Sequence, residues 1–170
     1  MLILDRSGSM GDAAQAALKA VKAELARSLE QLDSVHQFQI IFYNERPVAF
    51  NPTGVPGKLA FATDQNKQRA VRFINSIVPD GGTRHDDALK MALRFRPDVI
   101  FLLTDGDKPE LSDEQIEEIS RRASGIAIHT IQFGIGPATG GGFLAKLAKE
   151  NGGQHTYVDL AEYLQNKDRR

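Results

Sequence analysis

The chain has 170 residues, the size of one ordinary domain with a real hydrophobic core, and 21 basic residues stand against 22 acidic ones. This near-neutral balance, without a long run of either sign, argues against a nucleic-acid or polyanion partner. Cysteine is absent, which excludes disulfides, thiolate metal sites and cysteine catalysis, and no run approaches the roughly 18 apolar residues of a membrane span.

Leu2-Ile3-Leu4 has strand character and ends abruptly in Asp5-Arg6-Ser7-Gly8-Ser9-Met10. Asp5, Ser7 and Ser9 are therefore expected on a loop at the carboxyl end of a buried strand, where open α/β sheets keep their ligands. Because Met1 abuts a core strand directly, the chain is expected to be one domain cut from a longer protein. From Asp12 to about Asp33, Ala14, Ala17, Leu18, Val21, Leu25, Leu29 and Leu32 recur at the three-and-four spacing of one helix face. Residues 37–43 form an apolar, β-branched and aromatic run. Asn44-Glu45-Arg46-Pro47 then turns the chain into Val48-Ala49-Phe50, predicting a short antiparallel edge strand.

Residues 51–65 read as mostly loop, with Leu59-Ala60-Phe61 touching the body of the domain. Helices are predicted from Asn66 to Ile77 and, after Pro79-Asp80-Gly81-Gly82, from Thr83 to Phe95, with Thr83 as a candidate cap. Residues 98–104 are the strongest strand, a nearly continuous apolar run of the kind buried on both faces of a parallel sheet, and it ends in Asp105-Gly106. Ser112-Asp113-Glu114-Gln115 has the form of a capping box and opens a further helix. A strand at 126–133, glycines at 140–142, a helix at 143–150, a strand at 154–158 and a final helical turn at 160–164 complete the pattern, before a charged tail. Strands alternating with helices predict an α/β fold, a doubly wound, mostly parallel six-stranded sheet with helices on both faces and right-handed crossovers.

Asp5, Ser7, Ser9, Thr83 and Asp105 thus come from three separate loops that share one rim of the sheet if the first and the 98–104 strands run side by side. Two carboxylates and three hydroxyls form an oxygen-only donor set of the sort a hard divalent cation accepts. Each loop alone also fits plain capping or an ordinary turn. The layout resembles the von Willebrand factor A domain family, whose metal-ion-dependent adhesion site uses a D-x-S-x-S loop, a threonine after two glycines and an aspartate in a T-D-G turn. Here these are Asp5-Arg6-Ser7-Gly8-Ser9, Gly81-Gly82-Thr83 with Ala88-Leu89, and Thr104-Asp105-Gly106. Ile131 to Gly136 and Asn151-Gly152-Gly153 also look like the family's fifth strand and the turn into its sixth.

The resemblance implies a site for Mg2+, or Mn2+, with Ca2+ possible, held by Asp5, Ser7, Ser9, Thr83 and Asp105. It further implies a monomeric, non-enzymatic module binding a protein that offers an Asp or Glu carboxylate, without nucleic acid or direct membrane contact. An extracytoplasmic or membrane-anchored parent is favoured over a cytoplasmic one. Two alternatives are an Mg2+-dependent hydrolase or phosphatase and a structural domain of an intracellular ATPase-linked complex. The hydrolase lacks support in that Ser7 stands where an aspartyl phosphatase pattern needs a second acid, and no G-x-S-x-G is present. His85, Asp86 and Asp87 are expected in a solvated first helical turn, Asp107 and Lys108 on the rim, and Arg6 either at a partner or in solvent.

Overall fold

The computed structural model describes residues 1–10, 13–106, 108–138 and 140–168. Strand β1 (Leu2–Asp5) leads through a short 3-10 turn (Gly8–Met10) to helix α1 (Ala13–Glu30), followed by β2 (Gln37–Phe38), β3 (Ile40–Tyr43), β4 (Val48–Ala49) and β5 (Ala60–Phe61). Then come α2 (Asp64–Ser76), α3 (His85–Leu93), β6 (Val99–Thr104), α4 (Asp113–Arg122), β7 (Ala127–Gly134), α5 (Gly142–Glu150), β8 (His155–Asp159) and α6 (Leu160–Asp168). Asp12, expected to open the first helix, and the terminal arginines of the charged tail lie outside the described residues.

The main sheet has six strands in the order β4-β3-β1-β6-β7-β8, and only β4 runs antiparallel. This is the expected doubly wound architecture. Successive residues of a strand face opposite sides, and both sides are covered, which is why β1, β3 and β6 read as unbroken apolar runs. Ile3, Ile41, Leu102 and Ile128 pack with Leu89 of α3, Ile116 and Ile119 of α4, and Leu144 and Leu147 of α5. Leu4, Ile40, Phe42 and Leu103 pack on the other side with Leu25 and Leu29 of α1 and with Ala70 and Ile74 of α2. Apolar burial on two faces of one sheet holds the domain together.

Several elements differ from the sequence expectation, among them α3, which runs over His85–Leu93 and not Thr83 to Phe95. The 37–43 run is broken at Gln39, whose Oε1 accepts the Ile40 amide at 2.8 Å, so β2 leaves the main sheet. It pairs antiparallel with β5, Gln37 opposite Phe61 and Phe38 opposite Ala60, and residues 51–65 are not loop throughout. Helix α2 starts two residues before Asn66, because the Thr63 side chain accepts the Asn66 amide at 3.3 Å and caps the helix. The last helix is longer than a single turn and reaches Asp168. The hairpin into β4 follows the prediction, with Phe42 opposite Val48 and Ile41 opposite Ala49. So does the Ser112 capping box, in which the Ser112 amide donates to Gln115 Oε1 at 2.9 Å and the Gln115 amide to Ser112 Oγ at 3.3 Å.

The turn from α5 into β8 leaves no room for a side chain at Gly153, where a Cβ would lie 1.9 Å from the Ile128 carbonyl oxygen. Gly153→Ala must therefore push β8 away from β7, and we expect a loss of about 3 kcal/mol or more in urea unfolding. Alanine at the exposed Arg72 of α2 serves as the neutral comparison.

Candidate metal centre

The rim is set by strand register. β1 and β6 are parallel neighbours with Leu4 opposite Leu103, so Asp5 comes abreast of Thr104 and Asp105 follows on the next residue. Asp5 is only 1% exposed, and both of its oxygens accept bonds within the protein. The Ser7 amide donates to Oδ1 at 2.8 Å and the Thr104 hydroxyl to Oδ2 at 2.7 Å, while the Gly106 amide donates to Thr104 Oγ1 at 3.1 Å. Gly106 has φ 77°, and a Cβ there would stand 3.0 Å from Gln132 Nε2. That amide in turn donates to the Asp105 backbone carbonyl at 3.3 Å. Asp105 and its turn are thus anchored to β7.

Ser7 and Ser9 present their hydroxyls to each other at 3.0 Å, Ser7 buried and Ser9 exposed. The Gly81-Gly82-Thr83 turn is drawn against this loop by backbone bonds. The Gly8 amide donates to the Gly81 carbonyl at 2.8 Å, and the Asp80 amide to the Arg6 carbonyl at 2.9 Å. Gly81 has φ 72°, a conformation glycine adopts without strain. The Asn44 side chain fastens the same turn, donating from Nδ2 to the Asp80 carbonyl at 2.8 Å. Thr83 is buried in it. Asp5, Ser7, Ser9, the Thr83 turn and Asp105 therefore gather at the carboxyl ends of β1 and β6.

Some expectations around the site fail. Thr83 is not the cap of α3: that place belongs to Arg84, which makes no side-chain cap bond and pairs with Asp87 at 3.0 Å instead. His85 is not solvated but 1% exposed, packed beside Phe143 with ring centroids 5.1 Å apart and 2.8 Å from the Tyr43 hydroxyl through Nδ1. Arg6 is half-buried, and its NH1 donates to the exposed Val78 carbonyl at 3.2 Å, which neither bears out nor overturns its expected place at a partner or in solvent. Asp107 lies outside the described residues. Thr104, named in the T-D-G motif but given no role from the sequence, is the hydroxyl that holds Asp5.

The electrostatics of the rim have a definite sign. Burial raises the Asp5 carboxyl above the usual carboxylate range, the bonds from Ser7 and Thr104 pull it back down, and the charge of Asp105 pushes it up again. The groups that bond Asp5 are neutral, so its negative charge meets no cation among the described residues. No three His, Cys, Asp or Glu side chains converge among the described residues either. An ion here would have two carboxylates and several hydroxyls to bind, a set that suits a hard divalent cation keeping part of its hydration.

The sequence model of the von Willebrand factor type A domain matches residues 1–166. Inter-alpha-trypsin inhibitor heavy chain H4 of Bos taurus is 29% identical over 99% of this chain, which spans only 19% of that relative's length. Among solved structures, a von Willebrand factor type A protein from Catenulispora acidiphila superposes with a TM-score of 0.82 at 22% identity, over 99% of this chain and 40% of that one. Proximal thread matrix protein 1 from the mussel byssus, with a zinc-occupied MIDAS motif, has a TM-score of 0.68 at 20% identity over 97% and 43%. The manganese-loaded TRAP protein of Plasmodium vivax has 0.62 at 19% over 96% and 69%. These structures share the fold with this chain.

The Thr104 hydroxyl both donates to a buried carboxylate and accepts from Gly106, so Thr104→Val keeps the shape and strands two polar groups. We expect a loss of about 1–3 kcal/mol in chemical denaturation of the metal-free domain. A change within error would mean that the hydroxyl is dispensable to Asp5.

Proposed function

The chain belongs to the von Willebrand factor type A domain family, and from that premise we propose that its rim is a metal-ion-dependent adhesion site that captures a carboxylate of a partner protein. The observation that carries this reading is Asp5, a buried carboxylate bonded by neutral donors, whose charge is opposed by nearby Asp105. Burying an ionised carboxylate without a cation is costly, and a divalent ion placed between the two acids removes that cost. Asp5, Ser7, Ser9, Thr83 and Asp105 are assigned as its ligands.

Two negative charges balance one divalent cation, while the hydroxyls add oxygen without charge. Such an ion retains an appetite for one more anionic oxygen, which an Asp or Glu of the partner supplies. The all-oxygen set favours Mg2+ or Mn2+, and Ca2+ shares the chemistry. The zinc- and manganese-loaded relatives of this fold support a divalent cation in general. The chain spans about a fifth of its heavy-chain relatives, so the module serves recognition within a larger protein, in our reading an extracytoplasmic or membrane-anchored one. No helix among the described residues is long and apolar enough to cross a membrane. The domain acts as a monomer, touches neither nucleic acid nor membrane, and performs no catalysis.

Asp5→Ala and Asp105→Ala test this directly. We expect Mn2+ binding in calorimetry, and Mn2+-dependent retention on a glutamate-bearing peptide surface, to be lost in both variants, with the far-ultraviolet circular dichroism unchanged. Wild-type affinity for Mn2+ in Asp5→Ala would sink the reading, and collapse of the fold would assign the rim to stability instead.

A further inference from the structure

Tyr43 and His85 form a polar pair at the rim end of an apolar layer, where the Tyr43 hydroxyl also comes within bonding reach of Thr104 and Asp5. Tyr43 is fully buried, His85 is 1% exposed, and the hydroxyl lies 2.8 Å from Nδ1, with Ile3, Ile41, Ala88 and Leu89 around them in the same cluster. An apolar pair would fill this space without hydrogen-bonding needs, and replacing both partners of a buried bond by apolar groups is often nearly neutral for stability. What the polar pair adds is a fixed relative position, because a bond with a defined length and direction selects one arrangement where apolar packing tolerates several.

The two residues stand at the two halves of the candidate site. Tyr43 is the last residue of β3 and lies opposite Asp5 in the parallel ladder, so both side chains leave the sheet on the same face. Its carbonyl also accepts the Arg6 amide at 2.8 Å, inside the D-x-S-x-S loop. His85 is the first residue of α3, two positions after Thr83. A second tie runs in parallel, since the Arg84 amide donates to the Asn44 carbonyl at 3.1 Å. Residues 43 and 44 thus grip 84 and 85 by one side-chain bond and one backbone bond. The cap of α3 makes no side-chain cap bond, so this grip adds to the backbone bonds that hold the preceding turn. Phe143 of α5 packs against the His85 ring, with centroids 5.1 Å apart. Burial and the charge of Asp5 push the Tyr43 phenol well up, a bond with Thr104 pulls it part of the way back, and Asp105 and a bond with Asp5 add to the rise, so the hydroxyl remains protonated.

We propose that the Tyr43–His85 bond is a positioning device for the metal site, holding the Thr83 turn in register with the Asp5 loop so that ligands from separate loops meet at one ion. Neither residue touches the cation. Groups that orient metal ligands from behind typically change metal affinity 10- to 100-fold when removed. This role presupposes that the rim binds a cation, and the experiment separates the two statements.

The experiment measures Mn2+ affinity by electron paramagnetic resonance of the free ion, for wild type, Asp5→Ala, Tyr43→Phe, His85→Leu and His85→Asn, with melting curves of the metal-free proteins alongside. Tyr43→Phe removes one oxygen and keeps the ring, and we expect about tenfold weaker Mn2+ binding in a protein that stays folded, with the metal-free melting temperature lowered by only a few degrees because one buried partner is stranded. His85→Leu should behave alike. His85→Asn, whose amide places a hydrogen-bonding atom near that of Nδ1, should recover most of the lost affinity, a rescue that packing alone does not produce. Wild-type affinity in Tyr43→Phe and His85→Leu, with Asp5→Ala inactive, overturns the positioning role and leaves the metal site standing. Affinity lost only in proportion to unfolded protein also overturns it. Absence of Mn2+ binding in the wild type overturns both.

Discussion

The structure turns on a carboxylate enclosed where a strand ends. Asp5 sits at the last position of β1, with Leu4 still inside the apolar layer, and it is held by an amide two residues ahead and by a hydroxyl from the neighbouring strand. That hydroxyl is available only because β1 and β6 are parallel and in register, Leu4 with Leu103. A slip of one residue would send Thr104 to the opposite face and leave the acid with half its bonds. The register that packs the core and the register that builds the rim are therefore the same.

Parallel strands also explain why distant segments share that rim. Each crossover returns the chain to the amino end of the next strand, so the loops following β1, β3 and β6 all emerge on one side. The turn before α3 is added to them by backbone bonds, Gly8 to Gly81 and Arg6 to Asp80, which depend on no side chain. Glycine at 81 serves this approach twice over, by its positive φ and because a Cβ would crowd Asn44 Nδ2 at 3.1 Å.

The amino-acid sequence made the large elements legible because their period is long enough to see. Helices α1 and α4 repeat their apolar positions over several turns, and β6 is a continuous apolar run. The pair β2 and β5 was hidden, since two-residue strands have no periodicity and the break at Gln39 comes from a side chain bonding the next residue's amide. At the site, the acids and hydroxyls could be collected from three loops by spacing and by family likeness. Thr104 was legible as part of the T-D-G motif, but its bond to Asp5 was not, because that partner appears only once the register of the neighbouring strand is known. His85 was legible and misread: with Ala88, Leu89 and Ala92 it follows the i, i+3, i+4, i+7 stripe that faces the core, and its polar neighbours Asp86 and Asp87 distracted from that spacing.

The position of the polar groups relative to the core explains how such a rim is compatible with a stable domain. The apolar layers end with Leu4, Phe42 and Leu103, and the hydroxyls and acids follow one or two residues later, on turns fixed by backbone bonds. Apolar burial on both faces of the sheet thus holds the strands whether or not the acids are neutralised. Below the rim, the Tyr43–His85 contact is a polar group within the packing, at the level where strand ends, helix start and the D-x-S-x-S loop meet. Stability is governed by the layers beneath it, and under the proposal the geometry of the candidate ligands depends on the loops above it, so a change confined to that level should reach the second while largely sparing the first.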